Sequence, residues 1–159
     1  MSGHFRPSSR TRMASGEDGQ IAVLILGLFV IVLVFILGAV DVTAAQLARM
    51  RLLDTADAVA LDAADALDAT AVYRGGVAGP LVLTDASVRA AAQEHLARTP
   101  TPPGIAEWSL VAATGSRDGR TAEVTLRARA ALPMTGWILE SLGGGVTVTV
   151  TSRARAPVS

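Results

Sequence analysis

The chain of 159 residues is half apolar, contains neither Cys nor Lys, and balances fourteen Arg against fourteen Asp and Glu. Those figures exclude disulfide frameworks, thiol nucleophiles and cysteine metal sites, and they leave no net charge to draw the chain toward nucleic acid or anionic membrane. Charge is nonetheless segregated, with six Asp against two Arg over residues 41–68 and six Arg against three acids over residues 108–159.

Residues 1–20 mix Pro7, Ser8, Ser9, Ser15, Gly16 and Gly19 with Arg6, Arg10 and Arg12. So polar a segment cannot bury enough surface to fold, and a disordered leader is expected. Residues 21–40 then read IAVLILGLFVIVLVFILGAV, with no charge and no strong hydrogen-bonding side chain. Twenty residues at about 1.5 Å of helical rise match the roughly 30 Å hydrocarbon core of a bilayer. The segment is read as a transmembrane helix. A cleaved signal competes, since Val42-Thr43-Ala44 resembles a cleavage motif. The run is longer than the roughly 7 to 15 residues of a signal core, and Asp41 sits beside that site. Three leader arginines against Arg49 and Arg51 favour a cytoplasmic amino terminus and an extracytoplasmic remainder, a balance that reverses if translation starts at Met13.

No Gly or Pro interrupts residues 41–74, and Ala dominates them, so one helix is expected from Gln20 to about Tyr73, ended by Gly75-Gly76. At 100° per residue, Leu52, Leu53, Ala56, Val59, Ala60, Ala63 and Leu67 share one face, and Asp54, Asp57, Asp62, Asp65 and Asp68 the opposite one. Asp41, Leu53, Ala56, Ala60, Ala63 and Leu67 are therefore the candidate packing or assembly residues. The Asp stripe has hard oxygen ligands of the kind calcium takes, but a straight helix spreads them apart. A solvated face or a charge-complementary contact fits better. Asp41, where the apolar run ends, can reach water.

A second helix over Ser87–Arg98 is expected, capped by Thr84 or Asp85, with Val88, Ala91, Ala92 and Leu96 on one side and the Thr99–Gly104 segment ending it. His95 is solitary there and is assigned to surface or packing. After Gly104 the period becomes 2. Trp108, Leu110 and Ala112 alternate with Ser109, Val111 and Ala113, then Asp118-Gly119 signals a hairpin. Val124, Leu126, Ala128 and Ala130 alternate with Glu123, Thr125, Arg127 and Arg129. Pro133 ends that strand, residues 137–142 form a short helical turn, and Gly143-Gly144-Gly145 leads into a third strand alternating Val146, Val148 and Val150 with Thr147, Thr149 and Thr151.

Three strands with one apolar face need a cover, and the helix face from Leu52 to Leu67 supplies it. The fold class is thus α+β: a single amino-terminal transmembrane helix continuing into a long amphipathic helix, a second helix, and a three-stranded antiparallel sheet. Its divisions are 1–20 leader, 21–40 span, 41–104 helical region and 105–159 β region. Arg127, Arg129, Arg153 and Arg155 lie on the polar sheet face, without the interleaved aromatics of a nucleic-acid platform. No nucleophile elbow, phosphate-cradling loop or His pair points to catalysis, so no enzyme activity, cofactor or metal site is expected.

Gly16-Glu17-Asp18-Gly19-Gln20 before the span, Asp41 at its end, the run Leu53-Asp54-Thr55-Ala56-Asp57-Ala58-Val59-Ala60-Leu61 and the closing Val146–Val150 strand occur together in order. In this the chain resembles the TadE/TadG-like pilus-assembly proteins of the tight-adherence (Flp) pilus, particularly the actinobacterial TadG-like type. The resemblance implies a pilin-like architecture in a single-pass protein of the cytoplasmic membrane. It implies a non-enzymatic, minor pilin-like or assembly component whose partners are the lipid bilayer and other pilus-assembly proteins, with homo-oligomers also open to it. It also makes Gly19-Gln20 a possible processing junction. Prepilin-like members carry Glu at the fifth position after the cut, where this chain has Leu24. The alternative is a membrane-tethered extracytoplasmic binding module unrelated to pili.

Overall fold

The computed structural model describes the backbone of residues 17–73 and 82–155, with side chains over 19–65 and 82–155. The element order is α1 (Glu17–Tyr73), α2 (Asp85–Arg98), β1 (Ile105–Leu110), β2 (Thr121–Ala130), α3 (Gly136–Ser141) and β3 (Val146–Arg155). This is the α+β arrangement expected, with α1 beginning at Glu17 rather than Gln20. The Gly75-Gly76 stop and most of the leader lie outside the described residues. By its contacts the chain separates into two units, Met1–Ile36 and Leu37–Ser159.

In the first unit the large apolar side chains from Ile21 to Ile36 all face outward, Leu33 at 42% being the least exposed of them. Among the described residues there is one helix long and apolar enough to cross a membrane.

The second unit is built on a meander of order β1-β2-β3, antiparallel throughout. β2 pairs with β3 in unbroken register from Thr121↔Arg155 to Ala130↔Val146, while β1 carries an irregularity between Ile105 and Glu107. Strand alternation sends Ala122, Val124, Leu126, Ala128 and Ala130 of β2, with Val150 and Ala154 of β3, into the core. They form one buried cluster with Ala48, Leu52, Ala56, Val59, Ala60, Ala63 and Ala64 of α1 and with Val88 and Ala92 of α2. So many alanines bring backbones close while burying little area per residue. The largest fully buried side chains are only Leu52, Leu126, Val59, Val88, Val124 and Thr114.

Local chemistry explains the ends of the shorter elements. Thr84 is the N-cap of α2, its hydroxyl accepting from the Ser87 amide at 3.1 Å while Ser87 Oγ accepts from the Thr84 amide at 3.0 Å, a reciprocal capping box. At the other end of α2, the Thr99 hydroxyl donates to the His95 carbonyl at 2.9 Å. α3 closes on Gly143 at φ 72°, with the Gly143 and Gly144 amides donating to the carbonyls of Glu140 and Leu139 at 3.0 and 2.7 Å. That pattern is a Schellman motif, which requires the left-handed conformation that Gly adopts without steric cost.

The hairpin that Asp118-Gly119 signals forms, since β1 and β2 pair antiparallel, but with a longer connection than a tight turn. The dipeptide does not join two strands directly, because β1 stops at Leu110 and β2 starts at Thr121, leaving a connection over residues 111–120. Within that connection Val111 donates to the Thr125 carbonyl and Gly115 forms a bridge with Glu123. Buried Thr114 holds the loop against β2, its hydroxyl accepting from the Thr125 amide at 3.1 Å. Asp118 instead makes an Asx-type turn: Oδ1 accepts from the amides of Arg120 and Thr121 at 2.9 and 2.7 Å, and Oδ2 from the Thr121 hydroxyl at 2.8 Å.

These bonds, the Arg120 amide first, hold the Asp118 carboxyl at about 2, below its ordinary 3.8. A depressed carboxylate pKa adds stability that is complete above the unfolded value and is lost as pH falls through the folded one. The Arg120 and Thr121 amides should therefore lose hydrogen-exchange protection between pH 3.8 and about 2. Amide exchange followed by NMR checks this, and Asp118→Asn should abolish the pH dependence of that protection.

Candidate functional site

Where the uncharged run ends, α1 turns a carboxylate inward. Asp41 is 6% exposed, although nothing in the helix itself would bury it. Its Oδ1 accepts from the Met134 amide at 2.9 Å, and its Oδ2 from the Thr135 amide at 2.8 Å and from the Thr135 hydroxyl. Three donors satisfy a buried charge that would otherwise be costly. The Thr135 hydroxyl bond lowers the carboxyl's pKa most, burial opposes it, and the two amides add to the lowering.

The donors belong to the β2–α3 connection, which would otherwise have orphan amides. β2 ends at Ala130, Pro133 lies in the connection, and Thr135 is the N-cap of α3 but makes no side-chain capping bond within that helix. Asp41 thus supplies, from a distant part of the chain, the acceptor for the N-cap amide that a capping box takes from the N3 side chain, which here is the apolar Ile138. Around this tie the segment is oily: Met134, Trp137, Ile138 and Leu142 are 42%, 71%, 40% and 78% exposed.

Farther along α1, two members of the Asp stripe meet partners. Asp57 accepts from the hydroxyl of Ser152, which is buried on β3. Asp62 Oδ2 lies 3.0 Å from His95 Nδ1 and 3.9 Å from Arg98, joining α1 to α2. Arg51 Nη1 donates to the Pro103 carbonyl at 2.6 Å, fastening the loop before β1. Asp54 and Asp65 are exposed. Charge-complementary contact therefore accounts for part of the stripe and solvent exposure for part. Among the described residues no cluster of three or more His, Asp or Glu is arranged to hold a metal.

The other singled-out residues divide cleanly. Ala56, Ala60 and Ala63 are 0 to 2% exposed and are used within the chain's own core. Leu53 is not on that face: it is 41% exposed while Leu52 is fully buried. Adjacent helix positions lie 100° apart, so a narrow packing face admits one of the two. The side chains of Leu67 and Asp68 lie outside the described residues. Gly19 and Gln20 are exposed within α1.

The outer sheet face carries Arg127, Arg129, Arg153 and Arg155 among exposed threonines, as alternation requires. Arg153 donates to Glu123 at 3.2 Å, and that bond chiefly holds the Glu123 carboxyl below its ordinary value. Arg129 reaches Glu107 at 4.0 Å.

Residues 19–73 match the family model Tad, described as Flp pilus-assembly TadE/G-like. No curated protein and no solved structure matches the chain. The matched stretch contains the apolar run, Asp41 and the Ala-rich packing face, and ends before α2 and the strands. Over residues 19–73 the chain is thus similar to the TadE/G-like proteins of Flp pilus assembly.

Proposed function

We propose that the protein is a non-enzymatic, membrane-anchored component of Tad/Flp-type pilus assembly or a related export apparatus, minor pilin-like in build. The observation that carries this reading is the coincidence of the TadE/G-like match over residues 19–73 with an uncharged, outward-facing apolar helix. Such a helix has no partner for its apolar surface in water and matches the thickness of a bilayer. The amino terminus then lies in the cytoplasm, residues 21–40 cross the cytoplasmic membrane, and the unit carrying the sheet stands outside. Gly19-Gln20 is the processing junction this reading offers.

Isolating membranes, extracting the chain in mild detergent and identifying what co-purifies tests the proposal. Other pilus-assembly proteins are expected with it; recovery of the chain as a soluble, unassociated species would sink the idea. The mass of the same sample reports the junction, since a chain starting at Gln20 has lost its leader and an intact chain keeps it.

A second reading, a membrane-tethered binding module unrelated to pili, draws on the outer sheet face. There Arg127 and Arg155 have no carboxylate within 4.0 Å among the described residues, leaving cationic groups free for an acidic polymer. Intact pili in a deletion strain that has lost a cell-wall interaction would favour it.

A further inference from the structure

The exposed apolar residues of the β2–α3–β3 crossover have no role in the core, and their position in the chain's architecture is specific. Residues 131–145 contain a single charged residue, Glu140, among Leu132, Met134, Trp137, Ile138, Leu139 and Leu142. A crossover with no partner to meet would be expected to be polar. Here Trp137 and Leu142 are the most outward-facing, at 71% and 78% exposure.

What fixes their level is Asp41. It is the first residue after the uncharged run, and its carboxylate holds the amides of Met134 and Thr135. If the run ends where the hydrocarbon ends, α3 begins within about one helical turn, roughly 5 Å, of that boundary. An indole with an apolar body and one N–H donor is most stable at that depth.

We propose that the α3 crossover is a second membrane contact, with Trp137 and Leu142 seated in the boundary between headgroups and acyl chains of the bilayer that residues 21–40 cross. This inference rests on the membrane-anchored reading above. Asp41 is the positioning residue, because it ties the crossover to the point where the chain leaves the lipid. The contact is driven by apolar burial rather than charge: Arg129 beside the crossover is opposed by Glu107 at 4.0 Å, and Glu140 is itself acidic. Zwitterionic lipid is therefore sufficient.

The test uses the full chain in phosphatidylcholine vesicles, with acyl chains brominated either near the headgroup or near the bilayer centre. Emission of the wild type is compared with that of Trp137→Phe, a change at an exposed position that leaves the core intact, so the difference belongs to Trp137. Flotation of the same vesicles reports anchoring independently. The expected result is flotation with a blue-shifted Trp137 emission that is quenched by shallow bromines, weakly by deep ones, and little by aqueous iodide. Flotation with Trp137 quenched by iodide but not by bromolipid overturns the interfacial contact and leaves the anchor standing. Flotation with Trp137 shielded from both quenchers overturns it in favour of a protein partner. Failure to float overturns the anchor, and the contact with it.

Discussion

Leu52→Ala should destabilise the sheet-bearing unit by about 2–5 kcal/mol, whereas Leu53→Ala should change it by no more than about 0.5 kcal/mol. The two leucines are neighbours in sequence, equal in chemistry and in helix propensity, but Leu52 is fully buried and Leu53 is 41% exposed. The difference comes from what surrounds each. Leu52 sits among Ala, Val and strand residues, so truncation leaves a cavity that small neighbours cannot reach across to fill. A domain of ordinary stability has about 5–15 kcal/mol in total, so the first change removes a large share of it. Urea unfolding of the chain in detergent micelles, with both variants made in a Trp137→Phe background so that Trp108 alone reports, measures both. Equal midpoints for the two variants would mean that α1 does not present Leu52 to the core.

Asp41→Ala should release the start of α3 while leaving the strands paired. The Met134 and Thr135 amides lose their acceptors, and their exchange with solvent should accelerate about tenfold or more, as expected for bonds to a charged group. Amides in the β2–β3 ladder, which rest on an unbroken register, should slow or speed little by comparison. The carboxyl's pKa is lowered, chiefly by the Thr135 hydroxyl. The tie is therefore at full strength above the ordinary carboxylate range and fails as pH drops through the lowered value. Wild-type protein taken to acid should thus reproduce the exchange pattern of the variant. Uniform acceleration across the whole sheet would instead make Asp41 a determinant of global stability rather than a local tie.

Both predictions concern residues whose roles were unequally legible. The apolar run, the continuous helix and the period-2 strands follow from local physics: hydrophobic spacing and the absence of breakers are properties of neighbouring residues. Thr84, too, was readable as a cap, because a capping residue acts within its own turn. The Asp118-Gly119 signal was readable as a turn, but the length of the connection that contains it was not. Its loop is shaped by Thr114 and Gly115 reaching β2, contacts that no local pattern encodes.

The pairings of Asp41 with Thr135, Asp57 with Ser152 and Asp62 with His95 were not legible, since they join residues 33 to 95 positions apart. A side chain's partner across such a distance depends on how the sheet is laid against the helix. The choice between Leu52 and Leu53 is of the same kind, because helical periodicity defines a broad apolar stripe and only the packed neighbours select the part of it that is covered.

The sequence by itself determined which residues form helix and strand, which faces are apolar, and that residues 21–40 cannot be at ease in water. Those are consequences of side-chain chemistry at fixed short spacings. Only the tertiary structure decided that the acid closing the apolar run is an acceptor for the β2–α3 connection. It thereby set an exposed tryptophan beside the point where that run ends, because hydrogen bonds between distant segments exist only once the chain has folded.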